Sequence, residues 1–297
     1  MKRLHRRHLL AGVGAAGLLT ACGGSGDATG EAATSAAERS GEPRFVVPTF
    51  PDGFRQPPTV VAGIEQRLTF VVADELDILR RQAPPSLAMT VSRDDTALVE
   101  TTLELHADGI VTPYYPLRTT FPEPGEYRAR VADLDPVPFV VADRADVDLV
   151  QVGDPLRPVD TPTVDDARGV DPICTRATPC PFHEITLTEA IADPRPVVFL
   201  VSTPGFCQTD ICGPVLELLI DAAAERDDLA VVHAEVYVDP NTDFASGGFP
   251  ETTPAVQTYA LPFEPQLVVG DAAGVVTARL DTMWDRAELA QALASVA

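Results

Sequence analysis

The stretch from Pro196 to Val215, reading PVVFLVSTPGFCQTDICGPV, constrains the chain more than any other. A mostly apolar run over 196–202 predicts a buried strand. A short loop with Pro204 and Gly205 follows, then two cysteines, then an amphipathic pattern over 214–224 that predicts a helix. Cys207 and Cys212 are five residues apart. On a continuous helix, that spacing rotates one residue from the other by about 140° and separates them by about 7.5 Å of rise. A disulfide does not span that separation. If the two cysteines pair, the residues between them are not regular helix. Pro214 suits the first helical position and leaves both thiols in the loop or at its edge.

From residue 173 onward, strand and helix patterns alternate. A short helix is expected over 186–192, the strand over 196–202, the helix over 214–224 and a strand over 229–238. A hairpin over 266–270 and 275–280 and a closing helix over 285–296 complete the order. This order, with two cysteines between the first strand and its helix, resembles the thioredoxin-like proteins over roughly residues 185–297. The resemblance implies an α/β thioredoxin-like domain over 173–297 and thiol–disulfide exchange. One thiol near a helix N-terminus would act as nucleophile, and the other would resolve the mixed disulfide.

The sequence departs from the family in spacing, CX4C in place of CXXC. Position after the strand favours Cys207 as nucleophile, whereas Cys212-Gly213-Pro214 resembles the family's Cys-Gly-Pro; we take Cys207 as the attacking thiol and Cys212 as the resolving one. Pro265 matches the family's cis-proline that faces the cysteines. The backbone of Glu264 before it would bind an extended substrate chain by strand addition. Protein thiols and disulfides, including a redox partner protein, are the implied partners.

Cys174 and Cys180 precede this region in a proline-rich loop. A structural disulfide is expected there, with exchange against Cys207/Cys212 as the alternative. Four cysteines allow three connectivities. Three other functions compete. A CX4C peroxiredoxin-like peroxidase lacks its usual proline and threonine before the first cysteine, where Leu200 and Pro204 stand. Copper delivery resembling the Sco proteins would use Cys207, Cys212 and His183 or His233. His233 sits in an apolar run, which favours a core role. A non-catalytic binding or assembly protein would use the fold as a scaffold only. No metal or other cofactor is expected.

The fifth cysteine belongs to the N-terminus. Basic residues Lys2, Arg3, Arg6 and Arg7 precede a mostly apolar run from Leu9 to Leu19, followed by Leu19-Thr20-Ala21-Cys22. Residues 1–21 read as a signal peptide. The tetrapeptide resembles the bacterial lipobox, which implies lipidation of Cys22, a flexible tether over 22–43 and an extracytoplasmic, membrane-anchored protein. Arg6-Arg7 resembles a degenerate twin-arginine signal. The net charge of -22 excludes nucleic-acid binding by electrostatics, and losing four basic residues on cleavage would make it more negative still.

Residues 44–142 alternate in short runs cut by proline and glycine, predicting strands over 67–73, 87–92, 101–106, 125–131 and 137–141. Pro122-Glu-Pro-Gly-Glu-Tyr127 resembles the tyrosine corner of an immunoglobulin-like sandwich. The expected architecture is therefore multidomain, an all-β immunoglobulin-like sandwich followed by the α/β domain, with 143–172 as linker. No catalytic constellation is legible in 44–142.

Overall fold

Period-two runs of β-branched and aromatic residues build the first half of the chain. The computed structural model describes residues 43–75, 77–207, 209–248 and 250–296. The signal peptide, Cys22 and all but the last residue of the tether over 22–43 lie outside the described residues. Eight strands come first: β1 (Phe45–Pro48), β2 (Val60–Val61), β3 (Glu65–Ala73), β4 (Ser86–Arg93), β5 (Thr96–Glu104), β6 (Tyr115–Thr120), β7 (Gly125–Val131) and β8 (Val137–Ala142). They form a three-stranded sheet, β1-β3-β6, and a five-stranded sheet, β2-β8-β7-β4-β5. Along β7, Tyr127, Ala129 and Val131 turn inward while Glu126, Arg128 and Arg130 face water. Leu68, Phe70 and Leu117 of one sheet share a core with Met89, Val91, Tyr127 and Phe139 of the other.

All five strands expected here are present, and β1, β2 and β6 are additional. Asp94 and Asp95 join β4 to β5 with both residues at positive φ. That is the geometry a two-residue hairpin loop requires. The Tyr127 hydroxyl donates to the Glu123 carbonyl at 2.8 Å, as the corner motif suggested.

The second half holds β9 (Val197–Val201), β10 (Ala230–Ala234), β11 (Gln266–Gly270) and β12 (Val276–Asp281), in the order β10-β9-β11-β12. β10 runs parallel to β9, and β11 is antiparallel to both of its neighbours. Helices are α1 (Leu187–Ala192), α2 (Cys212–Ala223), α3 (Pro240–Ser246), α4 (Pro254–Tyr259) and α5 (Arg286–Ala294). β9 is buried at every position because helices cover both faces of its sheet. Val198 and Leu200 pack with Leu216 and Leu219 of α2 and Leu289 of α5. Val197, Phe199 and Val201 pack with Leu187 of α1 and Tyr259 of α4. The described chain is thus β-rich, with three sheets and five α-helices among the described residues. No helix among them is long and apolar enough to cross a membrane.

Two local expectations need correction. α2 begins at Cys212, two residues before Pro214. Proline is accommodated because the first turn's N–H groups have no intrahelical partner to lose. Between 238 and 266, where the sequence predicts no element, stand α3 and α4. Each starts with a capping-type residue followed by proline, Asp239-Pro240 and Thr253-Pro254, and the Asp239 side chain accepts from the Thr242 N–H.

All described residues belong to one compact unit. The connection over 143–172 is packed rather than open, with Leu149, Val150, Leu156, Val159 and Val170 buried. The two halves also meet through charge. Arg67 of β3 grips Glu288 of α5 with Nε and Nη2, at 2.8 and 2.5 Å. It also donates to the carbonyls of Asp281 and Met283. The Tyr114 hydroxyl and Arg118 complete the shell around Glu288. Burial opposes the Glu288 charge, yet Arg67, Tyr114 and Arg118 prevail and hold its carboxyl at about 2.

Candidate active site at Cys207 and Cys212

The loop leaving β9 delivers Cys207, and the first residue of α2 is Cys212. Both are free thiols in this structure. Ile211, the N-cap of α2, supplies no side-chain acceptor. The Cys207 sulfur takes that place and accepts the Cys212 backbone N–H at 3.4 Å. Thr209 Oγ1 lies 3.3 Å from the same sulfur.

These contacts split the two thiols chemically. The Cys207 thiol is lowered to about 5, chiefly by a hydrogen bond from the Cys212 thiol. Burial works against this shift, and Thr209 and the Cys212 N–H reinforce it. The Cys212 thiol is pushed up by the same hydrogen bond, by burial and by the nearby Glu264. Cys212 is fully buried, while Cys207 is partly exposed. The thiolate therefore sits on the cysteine that a substrate can reach.

Glu264 and Pro265 lie on the approach to β11, and the peptide between them is cis. Sequence reasoning gave Glu264 a backbone role. Its side chain is the more informative part, because Glu264 Oε2 lies 3.5 Å from the Cys212 sulfur and competes with Cys207 for its one S–H proton. Burial and the adjacent Cys207 thiolate push the Glu264 carboxyl up to about 8. A carboxyl with that affinity can hold or release the Cys212 proton near neutral pH.

Cys207 opens on a cleft of about 650 Å³. One wall carries Thr209, Ile211, Phe263, Glu264 and Met283; the other carries Pro48, Phe50, Arg80 and Thr112 from the N-terminal sheets and their loops. The half that showed no catalytic pattern in its sequence therefore shapes the approach to the cysteines. Beside Cys207, Phe206 stacks on Phe244 of α3 with ring centroids 5.3 Å apart.

Cys174 and Cys180 do not form the expected disulfide. They are buried free thiols, because their loop turns both sulfurs toward two imidazoles. Cys180 Sγ lies 3.3 Å from His183 Nε2 and 3.5 Å from His233 Nδ1. The copper reading had placed these rings with Cys207 and Cys212; both turn to Cys180.

Two links join this cluster's loop to the cysteine loop. Glu235 accepts from the Thr175 N–H and from the Thr203 hydroxyl. The Gly205 N–H donates to Thr175 Oγ1 at 2.9 Å. Because the Thr203 hydroxyl is engaged by Glu235, it offers little to a peroxide at Cys207. The chain matches no protein-family model and no curated protein.

Proposed function

We propose that this protein is a thiol–disulfide exchange protein acting through Cys207 and Cys212. On this reading the second half is a thioredoxin-like domain and the first an immunoglobulin-like sandwich. The signal and lipobox patterns support a lipidated Cys22 that holds the protein outside the cytoplasm on a membrane. The observation that carries the exchange reading is the division of labour between the thiols. Cys207 is lowered to about 5 at the start of α2, while Cys212 is buried, raised and faces Glu264.

The Cys207 thiolate attacks one sulfur of a substrate disulfide. A Cys207–substrate bond forms, and the other substrate sulfur leaves as a thiolate. That step removes the Cys207 charge, one of the causes that raise Glu264. Glu264 then ionises more readily and accepts the Cys212 proton. The Cys212 thiolate attacks Cys207, forming the Cys207–Cys212 disulfide and releasing the reduced substrate. The reverse sequence oxidises a dithiol. Protein disulfides presented as extended chains are the substrates this cleft suits.

Two measurements test this. A Cys212→Ser variant should accumulate a mixed disulfide through Cys207, seen by mass spectrometry, and Cys207→Ser should not; a mixed disulfide that accumulates only in Cys207→Ser, through Cys212, overturns the assignment. The reduction potential of the pair should lie above about -300 mV, and a lower value marks a structural bridge. For the anchor, a Cys22→Ala variant should leave the membrane fraction.

A further inference from the structure

We propose that Cys174, Cys180, His183 and His233 form a closed, tetrahedral zinc site beneath the exchange loop. The proposal stands independently of the chemistry at Cys207.

Four side chains from two regions of the chain converge on one point. Cys174, Cys180 and His183 come from the loop before α1, and His233 comes from β10, some 50 residues later. Their ligand atoms all lie within 4.8 Å of one another. His183 Nε2 and His233 Nδ1 are 3.2 Å apart, and the two contacts to Cys180 Sγ measure 3.3 and 3.5 Å. Tetrahedral zinc, with bonds of about 2.3 Å to sulfur and about 2.0–2.1 Å to nitrogen, sets ligand atoms about 3.3–3.8 Å apart. These three separations fall in or beside that range.

Burial sharpens the case. The four residues are between 0% and 5% exposed. Thiols are weak hydrogen-bonding partners for buried imidazoles, so these contacts satisfy the rings poorly without a shared cation. Two thiolates and one Zn²⁺ sum to zero charge, which suits a dry interior. Loading zinc onto the two thiols releases their two protons, and nothing is oxidised or reduced. Two sulfur and two nitrogen donors in a tetrahedron favour zinc.

The outer shell agrees at one ring. His233 Nε2 lies 3.1 Å from the Ser202 carbonyl and 3.0 Å from Ser202 Oγ. An N–H held there leaves the Nδ1 lone pair facing the cluster. His183 Nδ1 has no such partner among the described residues. With four protein ligands and no open position, the role is structural. The ion would fasten the Cys174 loop to β10, directly under the turn that carries Thr203 and Gly205.

The test uses the intact chain. Purified protein should contain about one zinc per chain by elemental analysis. That content should persist in the Cys207→Ser/Cys212→Ser variant and fall to near zero in Cys180→Ser. Because Cys180→Ser could misfold, the wild type is also exchanged into Co(II). Tetrahedral visible bands with thiolate-to-cobalt charge transfer support the site. A Cys174–Cys180 disulfide in freshly isolated protein, copper in place of zinc, octahedral cobalt spectra, or zinc lost with Cys207 and Cys212 would overturn it.

Discussion

At the scale of single residues, the two thiols of one short loop differ because one is a hydrogen-bond acceptor and the other a buried donor. The lowered Cys207 gives a sign that can be checked. Its thiolate persists down to about pH 5, against the ordinary value of 9.0. Iodoacetamide alkylation of the reduced protein should therefore be nearly flat from pH 8 to pH 6 and fall only through about 5. Because the folded value is depressed, the stabilisation of the reduced protein is complete above pH 9. It shrinks as pH falls and is lost through about 5. The oxidised protein has no such thiolate and lacks that slope.

Glu264 titrates the other way, with a raised carboxyl that ionises through about 8. In the mixed disulfide the Cys207 charge is gone, so Glu264 ionises at lower pH than in the reduced protein, and resolution should speed up as pH rises through a midpoint below about 8. Glu264→Gln should slow this step by about 10²-fold and flatten its pH dependence in stopped-flow measurements.

At the scale of elements, length did not decide what was legible: the five-residue β9 and β11 and the six-residue α1 were, and α3 and α4 were not. β9, β11 and α5 stand where their apolar patterns put them, because burial on one or both faces writes itself into the residue order. β6 was missed because Pro116 interrupts its run; it pairs only with β3, at a sheet edge, where a missing N–H costs little. α3 and α4 span seven and six residues and, unlike the equally short α1, lie in a stretch rich in glycine, proline and acidic residues. Their proline-after-cap signals were present and outweighed by glycines and acids.

The loop between β9 and α2 was located correctly, but its support was not. Cys174-X5-Cys180-X2-His183 has the spacing of a ligand set as well as of a disulfide, and only His233, far along the chain, separates the two. The loop's closeness to that cluster can be tested at Gly205. A Cβ there would meet the Thr175 carbonyl oxygen at 2.9 Å and Thr175 Cβ at 3.0 Å. Gly205→Ala should destabilise the protein by about 1–3 kcal/mol in denaturant titrations. It should also change the Cys207 alkylation rate, since Cys207 lies two residues along the same loop.

At the scale of the whole molecule, the two halves are held by a buried ion pair and a shared cleft. Breaking a buried pair from one side leaves the other charge unmatched. Arg67→Met should therefore cost about 3–5 kcal/mol of stability, measured by chemical denaturation. The depressed Glu288 contributes stability that is complete above its ordinary value of 4.5 and lost as pH falls through about 2. A Glu288→Gln protein should show a shallower acid-unfolding slope in that window.

The Arg67–Glu288 pair also bears on how such a chain can be rearranged over evolution. Domains joined by open linkers can be shuffled, because each carries a complete surface of its own. A C-terminal half moved to a new neighbour would bring Glu288 without its guanidinium, and Cys207 without the far wall of its cleft. The two halves are thus matched to one another at this contact. A graft of either half onto a new neighbour should keep its stability only where the pair is kept or both members are replaced together.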